Sequence, residues 1–275
     1  MPFPHRVRSA FLCAALVAAT GCSGHDPHAG IVSSAAMEIG DCHRLELPEE
    51  LYNGSDVAPP VPCNEPHQTE TYMLTRYSGP IAAHRERPSP EQLVKEIDRL
   101  CDYRPIRPYL GAGPMDGQWG VAIWGKFPTR AEWLRGDRTL RCDLLGPTLV
   151  AARGPELTVP LRGIMVRAES AVVRRCRLGP ADVTCAQPHD VEWVEPPVDL
   201  PPGRYPGVRR VARLAEEMCR VNAANFVGGP LRGLRLRLEP PGPDRWRRDD
   251  RRVECWLGRE DGAPVVGTLR GGLAR

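Results

Sequence analysis

Two stretches of this chain carry the same chemistry-bearing pattern. Val61-Pro62-Cys63-Asn64-Glu65-Pro66-His67-Gln68-Thr69-Glu70 and Val183-Thr184-Cys185-Ala186-Gln187-Pro188-His189-Asp190-Val191-Glu192 both read Val-x-Cys-x-x-Pro-His-x-x-Glu. On a helix, a histidine and a glutamate three positions apart share a face and can serve as a base with its orienting acid, or as two metal ligands. Here the proline and the turn-like setting put His67 and His189 ahead of a strand, where positions three apart point to opposite faces. No third ligand stands at a recognised spacing, and the neighbouring cysteines are expected to be oxidised. The chain also lacks Gly-x-Ser-x-Gly, His-Glu-x-x-His, phosphate-loop and dinucleotide fingerprints. No catalytic residue, metal or cofactor is therefore expected. Each histidine should cap a turn or bond to backbone, and Glu70 and Glu192 should each find a partner within their own half.

A second element recurs in the same order. Trp133-Leu134-Arg135-Gly136-Asp137-Arg138 corresponds to Trp246-Arg247-Arg248-Asp249-Asp250-Arg251, and Cys142 and Cys255 follow at the same offset. The expected structure is a turn whose arginine makes a two-pronged contact with a carboxylate, Glu70 or Glu192, while Trp133 and Trp246 cover the core beside a disulfide. A ligand surface made of the same arginines and tryptophans is the alternative.

These residues need elements to hold them, and the spacing of apolar positions supplies those. Leu93, Val94, Ile97, Leu100 and Cys101 mark one amphipathic helix, about 90–102, introduced by Ser89-Pro90-Glu91. Val208, Val211, Leu214, Ala215, Met218 and Cys219 mark another, about 207–221. Strands are expected at 70–74, 118–124 and 138–144 in the first half, and at 191–194, 233–238 and 251–257 in the second. In the strand over 233–238, Leu234, Leu236 and Leu238 alternate with Arg235 and Arg237. Residues 157–161 read as the linker. Landmarks repeating in one order predict two copies of one module, 37–155 and 162–275. The fold class is α+β: two tandem small disulfide-stabilised domains, each a mainly antiparallel sheet with one main helix.

The amino-terminal residues set the compartment. Arg6 and Arg8 precede about ten apolar residues, and Ala19-Thr20-Gly21-Cys22 resembles a lipobox. The apolar run is far short of the ~20 residues that span a bilayer. Residues 1–21 thus read as a lipoprotein signal peptide, Cys22 as the lipidated residue and 22–36 as a tether. The expected location is the extracytoplasmic face of the plasma membrane, with the membrane itself a partner through the lipid. Of ten cysteines, eight then remain in an oxidising compartment, where an even number reads as disulfides. Confining pairs to each copy leaves three connectivities per copy, of which Cys42–Cys63 with Cys101–Cys142, and Cys176–Cys185 with Cys219–Cys255, are expected.

Charge divides unevenly. Residues 37–155 hold 14 basic and 17 acidic side chains, and residues 162–275 hold 21 and 15, within a full-chain net charge of +3. So small a total argues against nucleic acid as a partner. Residues 232–252 hold eight arginines, readable as a contact for anionic headgroups or as a solvated face with paired charges. Asn53-Gly54-Ser55 is read as a turn.

Assembled in this order, the motifs resemble those of the actinobacterial septum-formation domain family: Gly40-Asp41-Cys42, Val61 to Glu70, Cys101 and Trp133 to Cys142 in one half, then Val183 to Glu192, Cys219, Asp250-Arg251, Cys255 and Val266 to Gly271 in the other. The second half departs in having Arg174-Arg175-Cys176 for Gly-Asp-Cys and Asp249 for the glycine of Gly-Asp-Arg. The resemblance implies work at the envelope or in division, and brings no reaction or cofactor. The expected function is non-catalytic binding or assembly at the cell envelope, with a division protein, another envelope protein or a wall polymer as partner. An envelope hydrolase using the two histidines and glutamates is the competing reading.

Overall fold

The computed structural model describes residues 37–45, 54–55, 58–116, 119–147 and 156–272. The signal peptide, Cys22, the tether and Asn53 lie outside the described residues. Residues 31–275 cluster as one compact unit.

Two antiparallel sheets organise it. The first contains β1 (Cys42–His43), β2 (Thr69–Arg76), β3 (Ala122–Lys126) and β4 (Thr139–Leu145), in the order β1-β2-β4-β3. Between these strands lie α1 (Gly79–Ala83), α2 (Pro90–Leu100), α3 (Ile106–Leu110) and α4 (Arg130–Leu134). The second sheet contains β5 (Arg175–Leu178), β6 (Ala181–Thr184), β7 (Val191–Asp199), β8 (Leu234–Glu239) and β9 (Arg252–Arg259), in the order β6-β5-β7-β9-β8. α5 (Val208–Val227) and α6 (Pro243–Arg247) accompany it. The α+β class with disulfide reinforcement is what the sequence predicts, and both sheets are antiparallel throughout.

Local chemistry accounts for the elements. Ser89 caps α2 through a reciprocal box with Gln92, and Pro90 occupies its first turn. Its buried stripe is Leu93, Ile97 and the capping Cys101, packed with Leu140, Cys142 and Leu144 of β4. In the second half the buried stripe of α5 is Val211, Ala215, Cys219, Ala223 and Phe226, against Val194, Val198, Val253, Cys255 and Leu257. Of the six expected positions, Val211, Ala215 and Cys219 are buried, while Val208, Leu214 and Met218 are exposed. Ala223 and Phe226 extend the buried face instead. The stripe also continues past the expected end at residue 221, until Gly228 at φ +73° stops the helix.

The four disulfides are Cys42–Cys63, Cys101–Cys142, Cys176–Cys185 and Cys219–Cys255. Two of them staple a helix to the closing strand, Cys101 to β4 and Cys219 from α5 to β9.

One expectation is overturned. Residues 157–161 are no linker: Leu157 and Leu161 are buried in the first core, joined there by Ile164, Met165 and Val173. His67 and Leu157 exchange backbone hydrogen bonds of 2.9 and 2.7 Å, and His189 and Val265 exchange bonds of 2.9 and 2.8 Å. The segment that seemed to separate two halves closes the first one, as residues 265–269 close the second.

Candidate functional site

Each half gathers its histidine, its glutamate and a cystine at the mouth of its sheet. In the first half, ligand-type atoms of Cys42, His67 and Glu70 lie within 4.8 Å of one another, and in the second half those of Cys176, Cys185, His189 and Glu192 do so. All of these side chains are buried. This corrects the period-two argument that would hold histidine and glutamate apart. His67 and His189 sit in isolated bridges before β2 and β7 begin, so strand alternation does not govern them. The cysteines join these groups through space rather than through sequence spacing, and as expected they are oxidised, in Cys42–Cys63 and Cys176–Cys185.

The polar groups are largely consumed by the fold. Nδ1 of His67 donates to the Glu65 carbonyl at 2.8 Å, and Nδ1 of His189 donates to that of Gln187 at 2.8 Å. Those bonds place a proton on Nδ1 of each ring, and Nε2 has no hydrogen-bond partner in either. Burial lowers the pKa of His189 and keeps it neutral. Glu70 accepts from the amides of Leu161 and, at 3.0 Å, Arg162, and from the Tyr109 hydroxyl. Glu192 accepts from the Leu269 amide at 2.5 Å and the Thr268 hydroxyl at 2.6 Å. Burial pushes the Glu192 carboxyl up to about 7, against the pull of Thr268, Arg174 and the Leu269 amide. In both halves the histidine backbone and glutamate carboxyl together clasp the closing segment onto the sheet.

The tryptophan-arginine elements stand apart from the clasp. Arg138 reaches no glutamate; it donates to the carbonyls of Ala82, His84, Trp133 and Asp137, and lies 3.9 Å over the Trp133 ring. The indoles of Trp133 and Trp246 donate to the carbonyls of His84 and Gly203 at 2.9 and 2.7 Å. Asp137 accepts from the Thr139 amide at 2.8 Å. Asp250 takes Arg245 and Arg252, and Arg251 pairs with Asp249. The expected two-pronged contact with Glu70 or Glu192 is therefore replaced by turn-closing bonds. Gly136 and Asp249 occupy the same turn position at φ +93° and +65°, so the departure in sequence preserves a left-handed backbone that aspartate tolerates. In the arginine-rich stretch Arg245, Arg247, Arg251 and Arg252 are all paired with aspartates, which favours the solvated-face reading.

Two clusters escaped sequence reasoning. On β4, Arg141 and Asp143 alternate with the core-facing residues and are fully buried. Arg141 Nη2 meets Asp143 at 2.8 Å, Thr69 and Thr71 donate to the same carboxylate, and His43 lies 3.2 Å from Arg141. Burial alone would raise the Asp143 pKa, but Arg141 and His43 hold it below the ordinary range. The other cluster joins the halves: buried Asp116 accepts from Arg174 at 3.0 Å and from Arg270 at 2.6 and 3.0 Å. Neither repeats between halves, so the search for self-similarity passed them over. The closing segment was findable, since Leu161-Arg162-Gly163 echoes Leu269-Arg270-Gly271.

A hollow of about 580 Å³ opens beside β3, lined by Asp98, Tyr103, Ile106, Arg107, Trp119, Val121, Ile123 and others. Arg107 stacks 5.8 Å from the Trp119 ring and donates to the Gly113 and Asp116 carbonyls. No helix among the described residues is long and apolar enough to cross a membrane.

The family model described as septum formation matches residues 39–255, a stretch that spans both sheets. No curated protein and no solved structure matches.

Proposed function

Because the chain belongs to the septum formation family, we propose that it serves septum formation as a non-catalytic binding or assembly module of the cell envelope. One observation carries the non-catalytic part. The residues that could do acid-base or metal chemistry, His67 with Glu70 and His189 with Glu192, have their carboxyls and Nδ1 atoms committed to backbone or to neighbouring hydroxyls. All four side chains are buried. A catalytic base needs a free lone pair within reach of a substrate proton, and here the Nε2 atoms and the remaining carboxylate lone pairs all belong to buried side chains.

In this reading the chain is exported, lipidated on Cys22 and held at the outer face of the plasma membrane, presenting two copies of one oxidised module to an envelope protein, a division protein or a wall polymer. Among the described residues, the hollow beside β3 offers a recess for that contact, with Trp119 and Tyr103 as aromatic surface and Asp98 and Arg107 as polar groups. The competing hydrolase reading would use His67, Glu70, His189 and Glu192 as its acid-base groups, and the histidine variants separate the two.

Complementation of a deletion strain tests the reading, with septation scored by microscopy. His67→Gln with His189→Gln should fold and restore division, whereas Trp119→Ala with Asp98→Ala should fold and fail. A folded histidine variant that fails would turn the reading toward catalysis. Cys22→Ala should abolish metabolic lipid labelling and release the chain from membranes; persistent labelling would remove the anchor from the proposal.

A further inference from the structure

We propose that Cys176, Cys185, His189 and Glu192 form a zinc site that becomes available when the Cys176–Cys185 disulfide is reduced. The four ligand atoms already lie within 4.8 Å of one another. Zinc with bonds of about 2.0–2.3 Å to nitrogen, oxygen and sulfur holds its ligands roughly 3–4 Å apart, so small side-chain rotations suffice once the sulfurs separate. Two thiolates, an imidazole and a carboxylate make a four-coordinate set suited to this metal.

The supporting groups are in place. His189 Nδ1 donates to the Gln187 carbonyl at 2.8 Å, the outer contact that fixes a ligating imidazole with its lone pair on Nε2. That Nε2 is buried and has no hydrogen-bond partner. An unpaired acceptor inside a protein is costly, and a metal ion is one group that would satisfy it. Glu192 is steadied by Thr268 and Leu269, and each carboxylate oxygen keeps a further lone pair. The first half provides an internal comparison. Among its described residues Cys42, His67 and Glu70 converge and Cys63 stands outside the set, one ligand fewer than in the second half.

The chemistry balances with a dithiol as reductant. Its two sulfhydryls pass two electrons and two protons to the disulfide, giving Cys176 and Cys185 thiols and an oxidised cyclic dithiol. Zinc then displaces the two thiol protons as it binds both sulfurs, His189 and Glu192. Access comes through the β5–β6 hairpin. β6 is an edge strand paired to β5 alone, and an edge hairpin opens at lower free energy than the whole fold.

The test titrates the full-length chain with a limiting dithiol, then adds zinc alone and reads metal by native mass spectrometry, thiols by alkylation and fold by circular dichroism. One zinc per folded chain is expected once Cys176–Cys185 has opened, with none on the oxidised chain. Zinc should shield Cys176 and Cys185 from alkylation, but should leave Cys42 and Cys63 reactive wherever further dithiol has reduced them. Cys176→Ser should lose the metal, and His189→Gln should weaken binding at least tenfold while keeping the fold. Cobalt in place of zinc should give a thiolate charge-transfer band that scales with two sulfurs. The proposal is overturned if the folded, reduced chain takes no zinc, if shielding falls on other cysteines, or if opening this disulfide unfolds the chain.

Discussion

Replacing Asp116 by alanine should loosen the junction between the two halves, and the structure sets the size of the effect. The carboxylate is almost wholly buried and accepts four hydrogen bonds, two from Arg270, one from Arg174 and one from the Gly113 amide at 2.9 Å. Its removal leaves the buried Arg174 guanidinium without its directly bonded carboxylate, with only the charge of Glu192 still acting on it. Breaking a buried pair from one side costs about 3–5 kcal/mol. Two features place Asp116→Ala at the lower end. Arg174 keeps bonds to the Ser170 hydroxyl at 2.9 Å and the Met165 carbonyl at 3.2 Å, and Arg270 is exposed enough to turn toward water. A loss of about 3 kcal/mol corresponds to a fall in Tm of roughly 6–12 °C for a fold of this size. The pH dependence is a second signature. Burial would raise the Asp116 pKa, but the Arg270 bond and Arg174 charge outweigh it and hold the group below the usual range. A depressed folded pKa gives stability that is present above the unfolded value, about 4, and is lost as pH falls through the folded one. Melts of wild type and variant should therefore differ most at neutral pH and converge in acid. Asp116→Ala with Arg174→Met should recover part of the loss, since the stranded charge goes too. A difference under about 1 kcal/mol at pH 7, or one that persists unchanged in acid, would refute the reasoning.

Glu192 should behave in the opposite sense. With its carboxyl pushed up to about 7 by burial, the folded chain binds more protons than the unfolded chain between the ordinary glutamate value, about 4.3, and 7. Stability should fall as pH rises through that window and level off above it; in Glu192→Gln that slope should flatten, and an unaltered slope in denaturant titrations would assign it elsewhere. The disulfides should differ in worth. Cys101–Cys142 spans 41 residues and Cys176–Cys185 spans 9, so chain entropy assigns them about 4 and about 2.6 kcal/mol. Paired alanine variants compared in guanidinium should keep that order, and the reverse order would mean that packing around the shorter loop dominates.

Much of the fold was legible because its signals are local or repeated. Ser89-Pro90 announces α2, the alternation over Leu234–Leu238 announces β8, and recurrence of the cysteines within each half narrows their pairing. What remained hidden depends on contacts distant in sequence. Leu157 looked like a linker because five residues cannot show that His67, ninety positions earlier, will hydrogen-bond to them. The convergence of His67 with Glu70 was missed for a related reason. Strand alternation was applied two residues too early, from the bridge at His67 rather than from Thr69 onward. Arg141 and Asp143 carry no signal in the sequence, yet both are buried, because a single strand does not show that its second face is also covered.

What the halves share and where they differ also bears on where function resides. The shared motifs are used up by shared structure: Pro-His-x-x-Glu clasps a closing segment, and the tryptophan-arginine element ties a turn by backbone carbonyls. A role that both halves need for folding explains why both retain these residues, without any appeal to a ligand. Features present in only one half have no such explanation. These are the hollow of Trp119, Arg107 and Asp98 beside β3, the buried His43–Arg141–Asp143 cluster, and the four-ligand group around Cys176. The buried cluster is closed to partners, and every charge in it is balanced within the first sheet. Recognition is therefore best sought at the hollow, and regulation at Cys176–Cys185, where one half has a complete ligand set and the other is one residue short.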